Sequence, residues 1–126
     1  IYVCNIMTQP GETDGYSASD HVKAIYKHSG LIVDWIVVNK ESVHGRILSR
    51  YRKEGAVPVR VDEEEIAKLG INMLAGYMLQ ENGVLRHRHD YLASYIMNLI
   101  MPNRDKGKRV VIMNNYKDEV PVKKAL

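Results

Sequence analysis

The spacing of apolar positions changes several times along this chain, and each change marks an element. Ile1–Cys4 is a short apolar run of strand character. A polar stretch follows from Asn5 to Tyr16, closed by Ser17-Ala-Ser-Asp20, the spacing of a capping box with Ser17 as N-cap and Asp20 reaching back. Val22, Ile25 and Tyr26 then recur at helical spacing and Gly30 supplies a left-handed stop, predicting a helix over 17–29. Trp35 to Val38 is uninterrupted and mostly β-branched, the pattern of a strand buried on both faces. Val43, Ile47, Leu48 and Tyr51 mark a second helix ending at Gly55, and Val57–Val61 is an extended piece that Pro58 assigns to an edge.

Asp62-Glu-Glu-Glu65 predicts a second capping box, opening a brief helix that stops at Gly70. Ile71–Leu79 is expected to be one strand, with Asn82-Gly83 as a tight turn and Val84–His87 as the returning strand. Asp90 is expected to cap the last helix, whose stripe is Leu92, Tyr95, Ile96, Leu99 and Ile100, and which Pro102 ends. Strands alternating with helices make this an α/β chain, a layered sheet that is largely parallel with a C-terminal hairpin. Ile1–Cys4 and Trp35–Val38 should lie parallel and adjacent, joined by a right-handed crossover through helix 17–29.

Composition adds less than pattern. With 45% hydrophobic and 26% charged residues the chain is globular, and Phe is absent, so Tyr, Ile, Leu, Val and Met build the core. The net charge of +3 is uneven: residues 1–102 carry 11 Lys/Arg against 12 Asp/Glu, and residues 103–126 carry 7 against 3. We therefore expect one domain over 1–102 and a solvated basic tail over 103–126, with no nucleic-acid partner and no membrane span. A single cysteine excludes a disulfide framework and fits the cytoplasm. Ile1 opens inside an apolar run, so the chain is expected to be the C-terminal part of a longer α/β domain, incomplete without its N-terminal half. An exposed edge of a truncated sheet would invite association, so a natural protein seldom begins this way; a homo-oligomer is also expected.

Ligands of open α/β sheets bind beyond the carboxyl ends of the strands, where this sequence twice places an Asn. Asn39 suits a simple turn of the chain. Asn5, followed by Thr8 and Gln9, suits a site, since an amide gives and accepts hydrogen bonds at once. Downstream, Gly11 would let the backbone approach a ligand, and the amides at Ser17 would favour phosphate. Glu12 and Asp14 oppose phosphate unless a divalent cation such as Mg²⁺ bridges them to a nucleotide, or unless they bond sugar hydroxyls.

The stretch VCNIMTQPGETDGYSASDHVKAI, Val3 to Ile25, closely resembles the signature of the gluconeogenesis factor family, the YvcK-type proteins of bacteria. That family is related to the 2-phospho-L-lactate transferases. The similarity continues through Asp34–Asn39, Arg50–Val59 and Val84–Asp90. It implies a Rossmann-like fold and a cytoplasmic protein that binds a UDP-sugar such as UDP-GlcNAc or UDP-glucose. It also implies a role in cell shape and growth on gluconeogenic carbon sources. The alternative is a Mg²⁺-dependent phosphotransferase like the lactate relatives. On the first view Asn5, Thr8, Gln9, Gly11, Glu12, Thr13 and Ser17 would wall a nucleotide-sugar cleft, with the helix at Ser17 aimed at the diphosphate; on the second, Asn5 and a loop acid would hold Mg²⁺.

Two further places complete the expected site. Tyr51, among the cations Arg50, Arg52 and Lys53, is either core or a platform for a uracil ring. The run Leu85-Arg-His-Arg-His-Asp90 offers the family's Arg-His-Asp motif in two registers, with Arg86 or Arg88 as the phosphate ligand and Arg86 favoured. His21, His28 and His44 are expected at the surface, Cys4 in the core, and neither a catalytic residue nor a metal ligand is assigned.

Overall fold

A computed structural model describes residues 1–101 and the backbone of the strand at 110–112. Four parallel strands form the main sheet in the order β1-β2-β3-β6: β1 (Tyr2–Val3), β2 (Trp35–Asn39), β3 (Asn72–Gly76) and β6 (Val110–Ile112). The first two strands are parallel and adjacent as expected, with Tyr2 opposite Ile36. β6 lies within the stretch expected to be a basic tail, yet it joins the sheet edge against Met73–Ala75. The other residues of 102–126 lie outside the described residues.

Alternation along the central strands builds two cores. Ile36 and Val38 of β2, with Met73 and Ala75 of β3, face one side of the sheet. There they meet Ala18 and Val22 of α1 (Ala18–Ser29) and Ile66 of α3 (Glu63–Lys68). Val37 and Leu74 point to the other side, against Met78 and Tyr95, the latter on α4 (His89–Ile100). This is the two-sided burial that the β-branched run at Trp35–Val38 predicts. Cys4 lies in the first core, as expected.

The caps are partly as read. Ser17 and Asp20 form the reciprocal box, and Gly30 closes α1 at φ 68°. Asp62 and Asp90 do not cap: neither α3 nor α4 receives a side-chain cap, and Arg88 occupies the N-cap position of α4. The expected strand over Ile71–Leu79 is also two. β3 ends at Gly76, and β4 (Leu79–Glu81) starts a separate antiparallel hairpin with β5 (Leu85–His87). The diversion is held by Met78, whose N–H donates to Asn39 Oδ1 (3.3 Å) and whose carbonyl accepts from Arg88 N–H (2.7 Å). Asn39 thus organises the chain rather than a ligand site.

α2 (Gly45–Lys53) buries none of its residues. It is tied to the hairpin by the Tyr51 hydroxyl, which accepts from Leu85 N–H (3.1 Å), and by Arg50, whose guanidinium donates to the Gly83 carbonyl.

Candidate functional site

The long stretch after β1 has two parts with different tasks. Residues 6–8 pair antiparallel with the extended piece at 57–59. Thr8 N–H donates to the Val57 carbonyl (2.7 Å), Val59 N–H donates to the Ile6 carbonyl (2.9 Å), and Met7 bridges Pro58. Thr8 is buried, and its hydroxyl accepts from Val57 N–H at 3.0 Å.

Residues 9–16 knit a self-contained turn. Gln9 N–H donates to Thr13 Oγ1 (2.8 Å), Gly11 N–H to Asp14 Oδ2 (2.8 Å), and Thr13 N–H back to the Gln9 carbonyl (2.9 Å). Gly11 serves this turn at φ 80°, a backbone conformation that side chains disfavour.

A cleft of about 720 Å³ opens where the first part meets α2 and β5. Asn5, Thr8 and Gln9 form one wall, Tyr51 and Glu54 a second, and Arg86 and His87 a third. The volume lies within the usual range for small-molecule sites, roughly 300–1,000 Å³. Five of the ten expected ligand residues are therefore brought together: Asn5, Thr8, Gln9, Tyr51 and Arg86.

The other five do not line it. Gly11, Glu12 and Thr13 belong to the self-bonded turn, whose polar groups serve one another. Ser17 is buried, and its hydroxyl is engaged with Asp20 (2.8 Å) and Ser19 (3.2 Å). Nor is the start of α1 open to an anion. Ala18 N–H donates to the Arg60 carbonyl (2.9 Å), Ser19 N–H to Asp62 Oδ1 (2.9 Å) and Asp20 N–H to Ser17 Oγ (3.4 Å). A helix attracts phosphate through unsatisfied amides, and these are satisfied by protein. Arg88 lies over the Tyr91 ring, 3.9 Å from its centroid, and pairs with Asp90 at 3.3 Å. Of the two registers, the one that reaches the cleft is Arg86.

The bridging cation fares no better from these residues. Asp14 is spent on Gly11, Glu12 lies off the cleft, and no group of three or more His, Cys, Asp or Glu among the described residues is arranged to hold a metal.

Two titratable residues line the wall outside the expected set. Glu54 is the C-cap of α2, placed by its N–H to the Arg50 and Tyr51 carbonyls (3.3 and 3.0 Å). The signal for it was Gly55, whose φ of 83° marks the end of the helix directly after Glu54. His87 is half-buried, with Nε2 inaccessible and unpartnered among the described residues. Burial holds its pKa below the ordinary imidazole value, while a backbone hydrogen bond at Cys4 works the other way. His21, expected at the surface, is instead buried against Tyr2 and Tyr16, whose ring meets it edge-on at 5.3 Å.

Comparison with known proteins gives this geometry its context. A family model described as 2-phospho-L-lactate transferase CofD matches residues 1–79. The gluconeogenesis factor of Halalkalibacterium halodurans is 44% identical over 99 residues, covering 77% of this chain and 31% of that protein. The gluconeogenesis factor of Bacillus subtilis is 40% identical over 102 residues, covering 79% and 32%. A crystal structure of a UPF0052 family protein from Bacillus halodurans superposes with a TM-score of 0.73 at 45% identity, covering 76% of this chain and 31% of that one. The chain spans about a third of the length of the curated relatives it matches. No helix among the described residues is long and apolar enough to cross a membrane.

Proposed function

Because the chain belongs to the family of 2-phospho-L-lactate transferase CofD, and its curated relatives are gluconeogenesis factors, we propose that the cleft binds a UDP-sugar. In this reading the protein is a cytoplasmic nucleotide-sugar-binding regulator that supports cell shape and growth on gluconeogenic carbon sources. The observation that carries it is Arg86. An exposed guanidinium stands on the wall of a nucleotide-sized cleft, across from two amide side chains and a tyrosine ring. Guanidinium grips phosphate oxygens as a fork, amides match the mixed donors and acceptors of a pyrimidine edge, and the tyrosine ring offers a face for stacking.

The experiment is calorimetry on the intact protein with UDP-GlcNAc and with uridine, which has no phosphate. Arg86→Ala is expected to weaken UDP-GlcNAc about ten-fold or more, the loss of a charge-assisted contact, while uridine changes little. Arg88→Ala is expected to leave the ratio of the two affinities as it was, since its guanidinium serves Tyr91 and Asp90. An unchanged ratio for Arg86→Ala would remove the phosphate from this end of the cleft.

A Mg²⁺-dependent phosphotransferase is the second reading, favoured by the name of the matching family model. It predicts turnover of a phosphorylated nucleotide only when Mg²⁺ is added, whereas the regulator predicts binding without turnover.

A further inference from the structure

We propose that Glu54 is the specificity-determining residue of this cleft, its carboxylate accepting hydrogen bonds from adjacent hydroxyls in the sugar portion of the ligand. The inference rests on the nucleotide-sugar reading above and adds to it a means of choosing among ligands. Glu54 is the acidic residue among those that line the cleft. It is exposed, and it takes part in none of the ion pairs or side-chain hydrogen bonds found among the described residues. The loop carboxylates that the sequence offers for this task are elsewhere, with Asp14 bonded to Gly11 and Glu12 off the wall.

An ionised carboxylate only accepts, so it needs donors from its ligand. Phosphate oxygens offer none and are repelled. A uracil edge alternates donor and acceptor, which suits the amides of Asn5 and Gln9 better than a pair of anionic oxygens. Neighbouring sugar hydroxyls present two donors at the separation of two carboxylate oxygens. The wall is therefore polarised, with Arg86 drawing the phosphates and Glu54 turning them away while collecting hydroxyls.

The residue is also held in place. Its N–H is bonded to the last turn of α2, and the next residue, Gly55, lies against Pro10, whose Cγ would be 3.4 Å from any added Cβ. Helix end and loop thus meet at the backbone of this residue, which fixes where its side chain leaves the chain.

The hydroxyls could belong to the ribose or to the attached hexose, and three ligands separate the two. UDP-GlcNAc, UDP and deoxyuridine diphosphate are titrated calorimetrically into wild type and into Glu54→Ala, with Glu54→Gln as the isosteric control and a thermal melt of each. Loss of about ten-fold or more for UDP with no change for the deoxy analogue assigns the ribose. The same loss for UDP-GlcNAc with UDP unchanged assigns the hexose, and Glu54→Gln should recover part of it. Equal changes for all three ligands, or uniformly tighter binding from relief of repulsion, would overturn the assignment and leave the cleft reading standing. A wild-type protein that binds none of the three would remove both.

Discussion

Asp62 bonds the first turn of a helix to which it does not belong: its two oxygens accept the N–H and the hydroxyl of Ser19, at 2.9 and 2.6 Å. This ties α3 to α1 over the core that α1 and α3 share against the sheet. Burial works to raise the Asp62 pKa, but the hydrogen bonds from Ser19 prevail and hold it below the usual carboxylate value. Ser19→Ala is expected to cost about 1–3 kcal/mol, as it leaves a buried carboxylate partly unserved. A depressed folded pKa means that this stability is present above the unfolded value near 3.9, and is lost as pH falls through the folded one. Urea melts of wild type and Asp62→Asn across acidic pH will show converging stabilities.

The cleft's first wall should separate binding from folding. Thr8→Ala removes the acceptor of Val57 N–H, and a loss of about 0.5–1.5 kcal/mol in stability is expected alongside any change in affinity. Asn5 is exposed on the same wall. Asn5→Ala should lower UDP-GlcNAc affinity by on the order of ten-fold and leave the melting temperature unmoved. Calorimetry beside a thermal melt reads both variants.

At Gly76 a Cβ would stand 2.4 Å from Tyr95 Cε2. Gly76→Ala is therefore expected to destabilise by about 1–3 kcal/mol through overpacking. Tyr95→Leu vacates that space, so the double variant should lose less than the two single losses combined. A double-mutant cycle measures that coupling.

Two histidines set a second pH window. His21 and His87 each bury Nε2 without a partner among the described residues, and burial lowers both pKa values, against the opposing pull of Asp20 on His21 and of the Cys4 backbone on His87. Between those lowered values and about 6.5 the unfolded chain binds more protons than the folded one. Stability should rise with pH through that window and, so far as these two groups decide it, stay level on either side. Urea midpoints at about pH 5 and about pH 7.5 test this, and His21→Leu should flatten the difference.

The parts of this fold that were legible in the sequence are those with short-range causes. The box at Ser17 and Asp20 lies within four residues, and the stop at Gly30 and the β-branched run at Trp35 need no knowledge of distant partners. Asp62 could not be read, because its partner Ser19 is 43 positions away. The break after Gly76 could not be read either, since the diversion of Met78 depends on Asn39 and Arg88. The site divides in the same way. Asn5, Gln9 and Arg86 follow strand ends or sit on a strand, where side chains project predictably. Thr13 and Ser17 have the chemistry of ligand residues but spend it on their own neighbours, which composition does not disclose.

Each pairing in the main sheet joins residues more than thirty positions apart: Tyr2 with Ile36, Trp35 with Asn72 and Met73 with Val110. A nascent chain leaving the ribosome would therefore carry β2 without its β3 neighbour until the whole of α2, α3 and β3 had followed it. Topologies dominated by such distant pairings close slowly, because the entropy of each loop is lost before any strand contact offsets it. During that interval the edge of β2 that β3 covers, with Ile36, Val37 and Val38, stays open. This interval, more than the finished fold, is where the protein is most open to aggregation and to capture by chaperones.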